Sequence, residues 1–460
     1  MPNQVQALVV GAGISGLATA LGLQKSGILT IIVDSAARPG GVIHSEKRDG
    51  YLLECGPQSF NGNSAITSVS SDLGLLSERL LADPKAPRYV LINGRLQPAP
   101  VGPGILASPL LSGGTRLALL RDIFGKSTPP EPDESVAGFV RRKFSATLLD
   151  RLVGPFVSGI YAGDPEKLSL RAGFPILYEA EKNFGSVIRG ALKIMKARKA
   201  AAGDAPREKA LQTFQDGNES LIDALAERLG NALYCSVEVG SVQALDPASE
   251  PTAPRFRATL RTPKGEEVIE AERLILAVPT NVAGKLVAPL HADFEPAFCG
   301  IEYAGIAVVS LGYRKEDVAH ALDGFGFLVP RSAGLSILGT VWNSSLFPGR
   351  APDGQALLTS FVGGATNPGA LEQSPEELVT QVHEELAPLL GIRKEPVFRN
   401  VTIWPRAIPQ YNLGHATRLA TIEKLRGNFP GLYIVGNFLN GPAIGTCIEH
   451  ALKVANEIRV

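Results

Sequence analysis

The sequence predicts an α/β protein that opens with a strand–turn–helix–strand unit and continues into a second unit of mixed α+β character. Three observations carry this. Val5 to Val10 is a short apolar strand, Gly11-Ala12-Gly13-Ile14-Ser15-Gly16 follows it directly, and Leu29 to Val33 is a second β-branched strand ending at Asp34. Between them Leu17, Ala20 and Leu21 keep helical spacing, and Gly27 suits the end of that helix. The glycines have separate tasks: a tight turn, close backbone approach to a pyrophosphate, and close helix–strand packing. The helix N-terminus faces the phosphates, and Asp34, 18 positions past Gly16, reaches a ribose hydroxyl. The context therefore predicts dinucleotide binding.

Glu131 to Val153 reads as one helix, with Val136, Phe139, Val140, Phe144 and Leu148 on one face. Lys182 to Lys199 reads as a second, basic helix without an acid, and Ala200 to Ala210 as a loop. Strands are expected at Arg255 to Arg261, Leu274 to Val278, Val308 to Tyr313, Ser336 to Trp342 and Gln355 to Phe361. Pro375 to Leu386 reads as helix, with Pro375 in its first turn and Pro388 just beyond its end. Leu432 to Val435 is a strand. A Gly-rich loop then leads from Gly436 into a helix from about Ala443 to Ile458, with Pro442 in its first turn. There is no internal repeat.

At 460 residues the chain has room for about three structural units. Forty-five per cent hydrophobic and 20% charged residues are globular proportions, which excludes disorder over most of the chain. Lys plus Arg equals Asp plus Glu at 45 each, and the absence of a basic excess argues against nucleic acid as a partner. Cys55, Cys235, Cys299 and Cys447 lie far apart, as in a reducing compartment. The six histidines have no metal-ligand spacing, so no metal is expected. Met1-Pro2-Asn3-Gln4 carries no charged n-region, so no secretory signal is expected. Leu96–Thr115 and Gly427–Ile448 are uncharged and long enough to span a bilayer. Their prolines and glycines forbid an unbroken helix in either.

Two features bear on which dinucleotide is bound. Arg38-Pro39-Gly40-Gly41 follows the acidic strand and lets the chain pass close to a cofactor. The stretch Gly436-Asn437-Phe438-Leu439-Asn440-Gly441-Pro442-Ala443-Ile444-Gly445 ends at a helix N-terminus, whose free N–H groups and partial positive charge suit a reduced flavin. With these residues the sequence resembles the FAD-dependent amine-oxidase-like superfamily, and within it the family of protoporphyrinogen and coproporphyrinogen oxidases. The resemblance covers nearly the whole chain. It rests on Gly11–Gly16, Glu54–Phe60, Ala86–Val90, Phe156–Pro165, Leu338–Thr340, Ser344–Pro352, Phe361–Gly364 and the C-terminal motif. Asp34 departs from the usual Glu, and Gln58 stands where Asn is common.

The resemblance implies an FAD-binding Rossmann-like domain (1–78, 208–283 and 418–460), an interleaved α+β substrate domain (79–97, 176–207 and 284–417) and a helical membrane-facing segment (98–175). It places FAD against Gly11, Gly13, Ile14, Ser15, Gly16, Asp34, Ser35, Arg38, Gly40, Gly41, Gly56, Pro57, Gln58, Val239, Gly436, Asn437, Pro442, Ala443 and Ile444. It implies a reduced tetrapyrrole substrate, oxidised in three two-electron steps with oxygen as acceptor in haem or porphyrin biosynthesis. Arg88 would pair with a propionate. Gly159, Gly163, Leu328, Val341 and Phe361 would line the macrocycle, with Gly159 and Gly163 bracketing a turn. Tyr161 reads as a packed aromatic.

The chemistry needs positioning and desolvation rather than a nucleophile and base, and no catalytic residue is assigned. Protoporphyrinogen is preferred because Ser59 to Ile66 holds no Lys or Arg for the extra carboxylates of coproporphyrinogen. An amine or carotenoid oxidase and a non-catalytic binding protein on the same scaffold stand as alternatives. The Lys182–Lys199 helix reads as a solvated face, a surface for anionic lipid or a steering patch. A cytoplasmic location at the inner face of the membrane is expected, and a homodimer is left open.

Overall fold

A computed structural model of the chain describes residues 1–99, 108, 110–125, 131–201, 210–245 and 253–459. Two seven-stranded sheets organise it. The first runs Leu233–Tyr234, Thr30–Val33, Gln4–Val10, Gly265–Leu276, Phe256–Thr262 and Glu238–Ala244, and Leu432–Ile434 also pairs with Gly265–Leu276. Its centre is parallel: Val10 pairs with Val33 and with Leu276, and Leu276 with Ile434. Such a sheet is buried on both faces, which explains the uninterrupted apolar run Ala7–Val10. Helices Ile14–Lys25, Glu219–Leu229 and Ile444–Arg459 cover one face, and Thr280–Val287, Phe294–Cys299 and His415–Arg426 the other.

The second sheet runs Phe398–Pro409, Tyr303–Arg314, Gln355–Gly363, Ile337–Trp342, Gly326–Leu328, Arg88–Ile92 and Arg95–Pro98. It is antiparallel except where Arg88–Ile92 lies parallel to Gly326–Leu328. The helix Pro375–Leu390 packs Leu378, Val382, Leu386 and Leu390 on one face of it. A third, helical core gathers Leu119, Phe139, Val157 and Tyr178. Among the described residues, no helix is long and apolar enough to cross a membrane.

Four local expectations are corrected. The segment Glu131–Val153 is not one helix. Val136–Lys143 stops at Phe144, and Ser145 caps a new start by accepting Leu148 N–H at 3.1 Å, before a π-helical turn at Leu149–Val153. The basic segment is also two helices, Pro175–Phe184 and Val187–Ala201, because Gly185 terminates the first at φ +66°. The helix from Pro375 continues to Leu390 with Pro388 inside it. Apolar packing of Leu386 and Leu390 outweighs the single hydrogen bond that Pro388 forfeits, and Gly391 (φ +61°) ends the helix. At the C-terminus Cys447 N–H donates to Ala443 O, so the helix opens at Ala443 and Pro442 lies one residue outside it. The loop expected at Ala200–Ala210 falls largely on residues outside those described, as do 100–107 and 109 of the run Leu96–Thr115, whose described ends are a strand at Arg95–Pro98 and the start of the helix Gly113–Phe124.

Candidate active site

The parallel strands of the first sheet end side by side, and their exits build the cofactor cradle. Gly11 follows Val10, Asp34 follows Val33, Ala277 follows Leu276 and Val435 follows Ile434. This is the carboxyl-edge crevice where open α/β sheets bind ligands. Gly11 has φ +103°, and a Cβ there would meet Ala277 O at 2.5 Å, while a Cβ on Gly16 would lie 1.9 Å from Gly11 O. Gly13 differs: a Cβ would meet nothing within 4 Å. It heads the helix Ile14–Lys25, whose first N–H groups have no side-chain cap. Open space before uncapped N–H groups fits a pyrophosphate.

Gly40 and Gly41 close over this turn, with Gly40 N–H donating to Ala12 O at 2.8 Å and Gly13 bridged to Gly40. A Cβ on Gly56 would lie 1.9 Å from Val42 O, so Gly56-Pro57-Gln58 abuts the same loop. Asp34 accepts Ala12 N–H at 2.6 Å and Ala36 N–H at 2.8 Å, and its remaining lone pairs are available to a ribose. Exposed Ser35 lies beside it, and Val237 N–H donates to Asp34 O two residues before Val239. Gly436 and Asn437 follow Val435 at the same edge. The helix Ile444–Arg459 packs on Ile14–Lys25 where a Cβ on Gly22 would meet Ala455. The predicted cofactor residues thus converge.

Two of them are committed to the protein itself. Arg38 donates to Pro39 O, Ile43 O, Gly41 O and Glu219, and so braces the Gly40–Gly41 turn. The Gln58 amide donates to Glu54 O and Gly56 O and accepts from Asn343 at 2.7 Å. It ties the cofactor loop to the second sheet.

Register brings together four of the residues expected to line the substrate. Arg88 pairs with Gly326 and Gly326 with Val341; two rungs on, Leu328 pairs with Gly339 and Gly339 with Phe361. Residues on one rung, or two apart along a strand, share a face. Arg88, Leu328, Val341 and Phe361 therefore share the face opposite the helix Pro375–Leu390. Gly159 lies within the helix Gly154–Tyr161, ahead of the turn that it and Gly163 bracket, and a Cβ there would meet Leu328 at 2.7 Å. Gly163 follows the left-handed Ala162 at the end of this helix, against Gln410. Arg88 is exposed, its guanidinium 5.2 Å over the Phe325 ring, while Val341 is buried and Leu328 and Phe361 are half-buried. Tyr161 is a packed aromatic that donates to Gly173 O.

Two positioning residues, Tyr411 and His415, carry no signal in the sequence. Tyr411 donates to Asn437 O, and His415 Nε2 lies 2.9 Å from Phe438 O, so both hold the flavin loop by its carbonyls. No spacing signals either residue. Burial pushes the His415 imidazole down to about 4, against the pull of the Phe438 carbonyl. A depressed histidine stabilises the fold fully above its unfolded value of 6.5 and loses that contribution as pH falls towards 4. The shift corresponds to about 3 kcal/mol. His415→Gln keeps a donor for Phe438 O without titrating. The difference in urea stability between wild type and this variant is therefore expected to shrink from pH 7 to pH 4.5, and a constant difference would contradict the assignment.

A Rossmann crevice with the start of a second helix, Ile444–Arg459, packed beside its glycine turn is the architecture of an FAD-dependent oxidoreductase. Residues 14–459 match the family described as flavin containing amine oxidoreductase, and the chain belongs to that family. It is 36% identical to the chloroplastic protoporphyrinogen oxidase of Oryza sativa subsp. japonica over 474 residues, 98% of this chain and 87% of that one. It is 28% identical to the coproporphyrinogen III oxidase of Bacillus subtilis (strain 168), over 98% of this chain and 97% of that one. The crystal structure of a protein from Exiguobacterium sp. 255-15, assigned as a protoporphyrinogen oxidase, superposes with a TM-score of 0.81 at 24% identity, over 99% of this chain and 98% of that one.

Asp34→Ala is expected to lower FAD affinity roughly tenfold to a hundredfold, the loss of one charge-assisted hydrogen bond of about 1.5–3 kcal/mol. Flavin absorbance after exhaustive dialysis measures this. Unchanged occupancy would remove Asp34 as the ribose ligand.

Proposed function

We propose that this chain oxidises protoporphyrinogen to protoporphyrin in three two-electron steps with oxygen as the final acceptor. The observation that carries this reading is the sheet face on which the cation Arg88 stands beside the apolar side chains Leu328, Val341 and Phe361. A flat macrocycle with carboxylates at one edge matches that surface. Bound FAD supplies the hydride acceptor. The protein's own part is to position and desolvate. Arg88 anchors a propionate through its planar fork, Leu328 and Phe361 exclude water, and Gly159 lets the helix Gly154–Tyr161 close on Leu328. Of the four wall residues only Arg88 is ionisable, in keeping with a reaction driven by macrocycle aromatisation without a protein base. The higher identity to the protoporphyrinogen oxidase favours two carboxylates over four. Parallel turnover assays on the two porphyrinogens, read by porphyrin fluorescence, test this. Preferential turnover of coproporphyrinogen would reassign the substrate.

The helical region supports attachment to the inner, anionic face of a membrane. Phe124, Leu117, Leu192 and Met195 are exposed, at 81%, 57%, 62% and 57%, on helices that also present Arg189 and Lys193. Apolar side chains interleaved with cations suit an interfacial position. Co-sedimentation with anionic but not neutral vesicles is the expected result, and the absence of lipid dependence would refute it.

A further inference from the structure

Strand alternation gathers three donor side chains on one face of the hairpin Ser45–Arg48/Tyr51–Glu54. Ser45 pairs with Glu54 and Glu46 with Leu53, and Cys55 N–H donates to His44 O at 2.8 Å. His44 and Cys55 thus face each other at the open end of the hairpin, and Glu46 projects to the same side as His44. One donor atom each from His44, Glu46 and Cys55 lies within 4.8 Å of the others. Glu54, on the opposite face, turns inward to Arg350, whereas Cys55 packs with Tyr51, Leu53, Leu357 and Phe398 against the second sheet.

The surroundings are those of a ligand set. His44 Nδ1 lies 2.9 Å from Glu219 Oε2, a carboxylate already fixed by Ser45 N–H at 2.9 Å. With Nδ1–H donated there, the lone pair resides on Nε2, which is how carboxylate partners orient metal-binding imidazoles. Cys55 is 2% exposed, while His44 and Glu46 are open to solvent for ion entry. The buried thiol, hydrogen-bonded with Thr402, lies in the negative potential of Glu46, Glu54 and Glu219. Arg48, 3.6 Å from Glu46, competes for that carboxylate only as an exposed ion pair. One nitrogen, one sulfur and one carboxylate oxygen suit Zn²⁺ rather than the all-oxygen shells of Mg²⁺ or Ca²⁺.

We propose that His44, Glu46 and Cys55 bind a divalent transition-metal ion of the Zn²⁺ type where this hairpin meets the strand Phe398–Pro409. Bonds of about 2.0–2.3 Å draw three ligand atoms closer than the apo separation, which rotation of the exposed Glu46 provides. The fourth position is left to water. The ion would stiffen a junction already made by Trp404 Nε1 donating to Cys55 O at 2.6 Å and Arg48 donating to Arg399 O at 2.8 Å. Sequence spacing hid this set because two of its members meet across strands.

The test is calorimetric titration of Zn²⁺ into chelator-treated, FAD-loaded protein, with thermal melting in parallel. Wild type is expected to bind one ion per chain and to melt higher with it. His44→Gln and Cys55→Ser are each expected to bind at least tenfold more weakly and to lose the shift, whereas Cys299→Ser retains both. His44→Gln alters a solvent-accessible side chain, and its flavin content verifies folding. Failure of the wild type to bind, affinity unchanged in His44→Gln, or loss of binding in Cys299→Ser would each overturn the proposal.

Discussion

Replacing Arg350 by alanine is expected to lower folding stability by about 3–5 kcal/mol, the typical cost of leaving one member of a buried ion pair alone. That is a large share of the roughly 5–15 kcal/mol that holds a domain together. Arg350 and Glu54 lie 3.6 Å apart with side chains only 1% and 2% exposed. Arg350 donates to Thr213 and Phe214 O, while Glu54 accepts from Asn218 N–H and Ser45. Burial pushes the Glu54 carboxyl up to about 7, against the Coulombic pull of Arg350. A raised acid stabilises the fold below its unfolded value of 4.5, and that contribution is lost as pH rises through about 7. Without Arg350 the carboxyl rises further, so the penalty grows from pH 6 to pH 8. Urea unfolding of wild type, Arg350→Ala and the double variant Arg350→Met/Glu54→Gln measures this. The double variant should recover most of the loss, because it leaves no lone charge. A penalty independent of pH would mean that Glu54 is not the group left unpaired. Glu54 and His415 act with opposite sign between about pH 4.5 and 6.5, which is why each is read as a difference from its own variant.

Arg88→Ala is expected to lower kcat/KM on protoporphyrinogen roughly tenfold to a hundredfold, through the loss of a charge-assisted contact of about 1.5–3 kcal/mol. Among the described residues Arg88 has no carboxylate partner, only the ring of Phe325 beneath it, so its charge is available to a ligand. The effect should fall mainly on KM, since a propionate contact exists in both ground and transition states. A drop in kcat as well would indicate that the released macrocycle slides from its reacting position. Arg88→Lys should recover only part of the loss, because an ammonium does not reproduce the planar fork. Flavin content and spectrum should not change. The deciding comparison is the free acid against the dimethyl ester: equal losses on both substrates would return Arg88 to a structural role.

The cofactor half of the site was legible because its determinants are local. Gly11 to Gly16 and Asp34 lie on one strand–turn–helix–strand unit, whose glycines are required by backbone collisions at Gly11 and Gly16. The wall was legible only through the family resemblance, since Arg88, Leu328, Val341 and Phe361 come from four separate strands. Helix boundaries were misjudged where one residue outweighed the periodicity, as Gly185 did by adopting φ +66° and Ser145 by capping a new start. The chain's composition and its opening motif determined by themselves an α/β dinucleotide-binding protein. Only the tertiary structure decided that Arg38 and Gln58 brace loops, that Glu54 meets Arg350, and that Tyr411 and His415 hold Asn437 and Phe438. Apart from the short-range bonds of Arg38 and Gln58 to their own loops, those pairings join residues 23 to nearly 300 positions apart, and the sheet register and packing that bring them together leave no mark in local sequence.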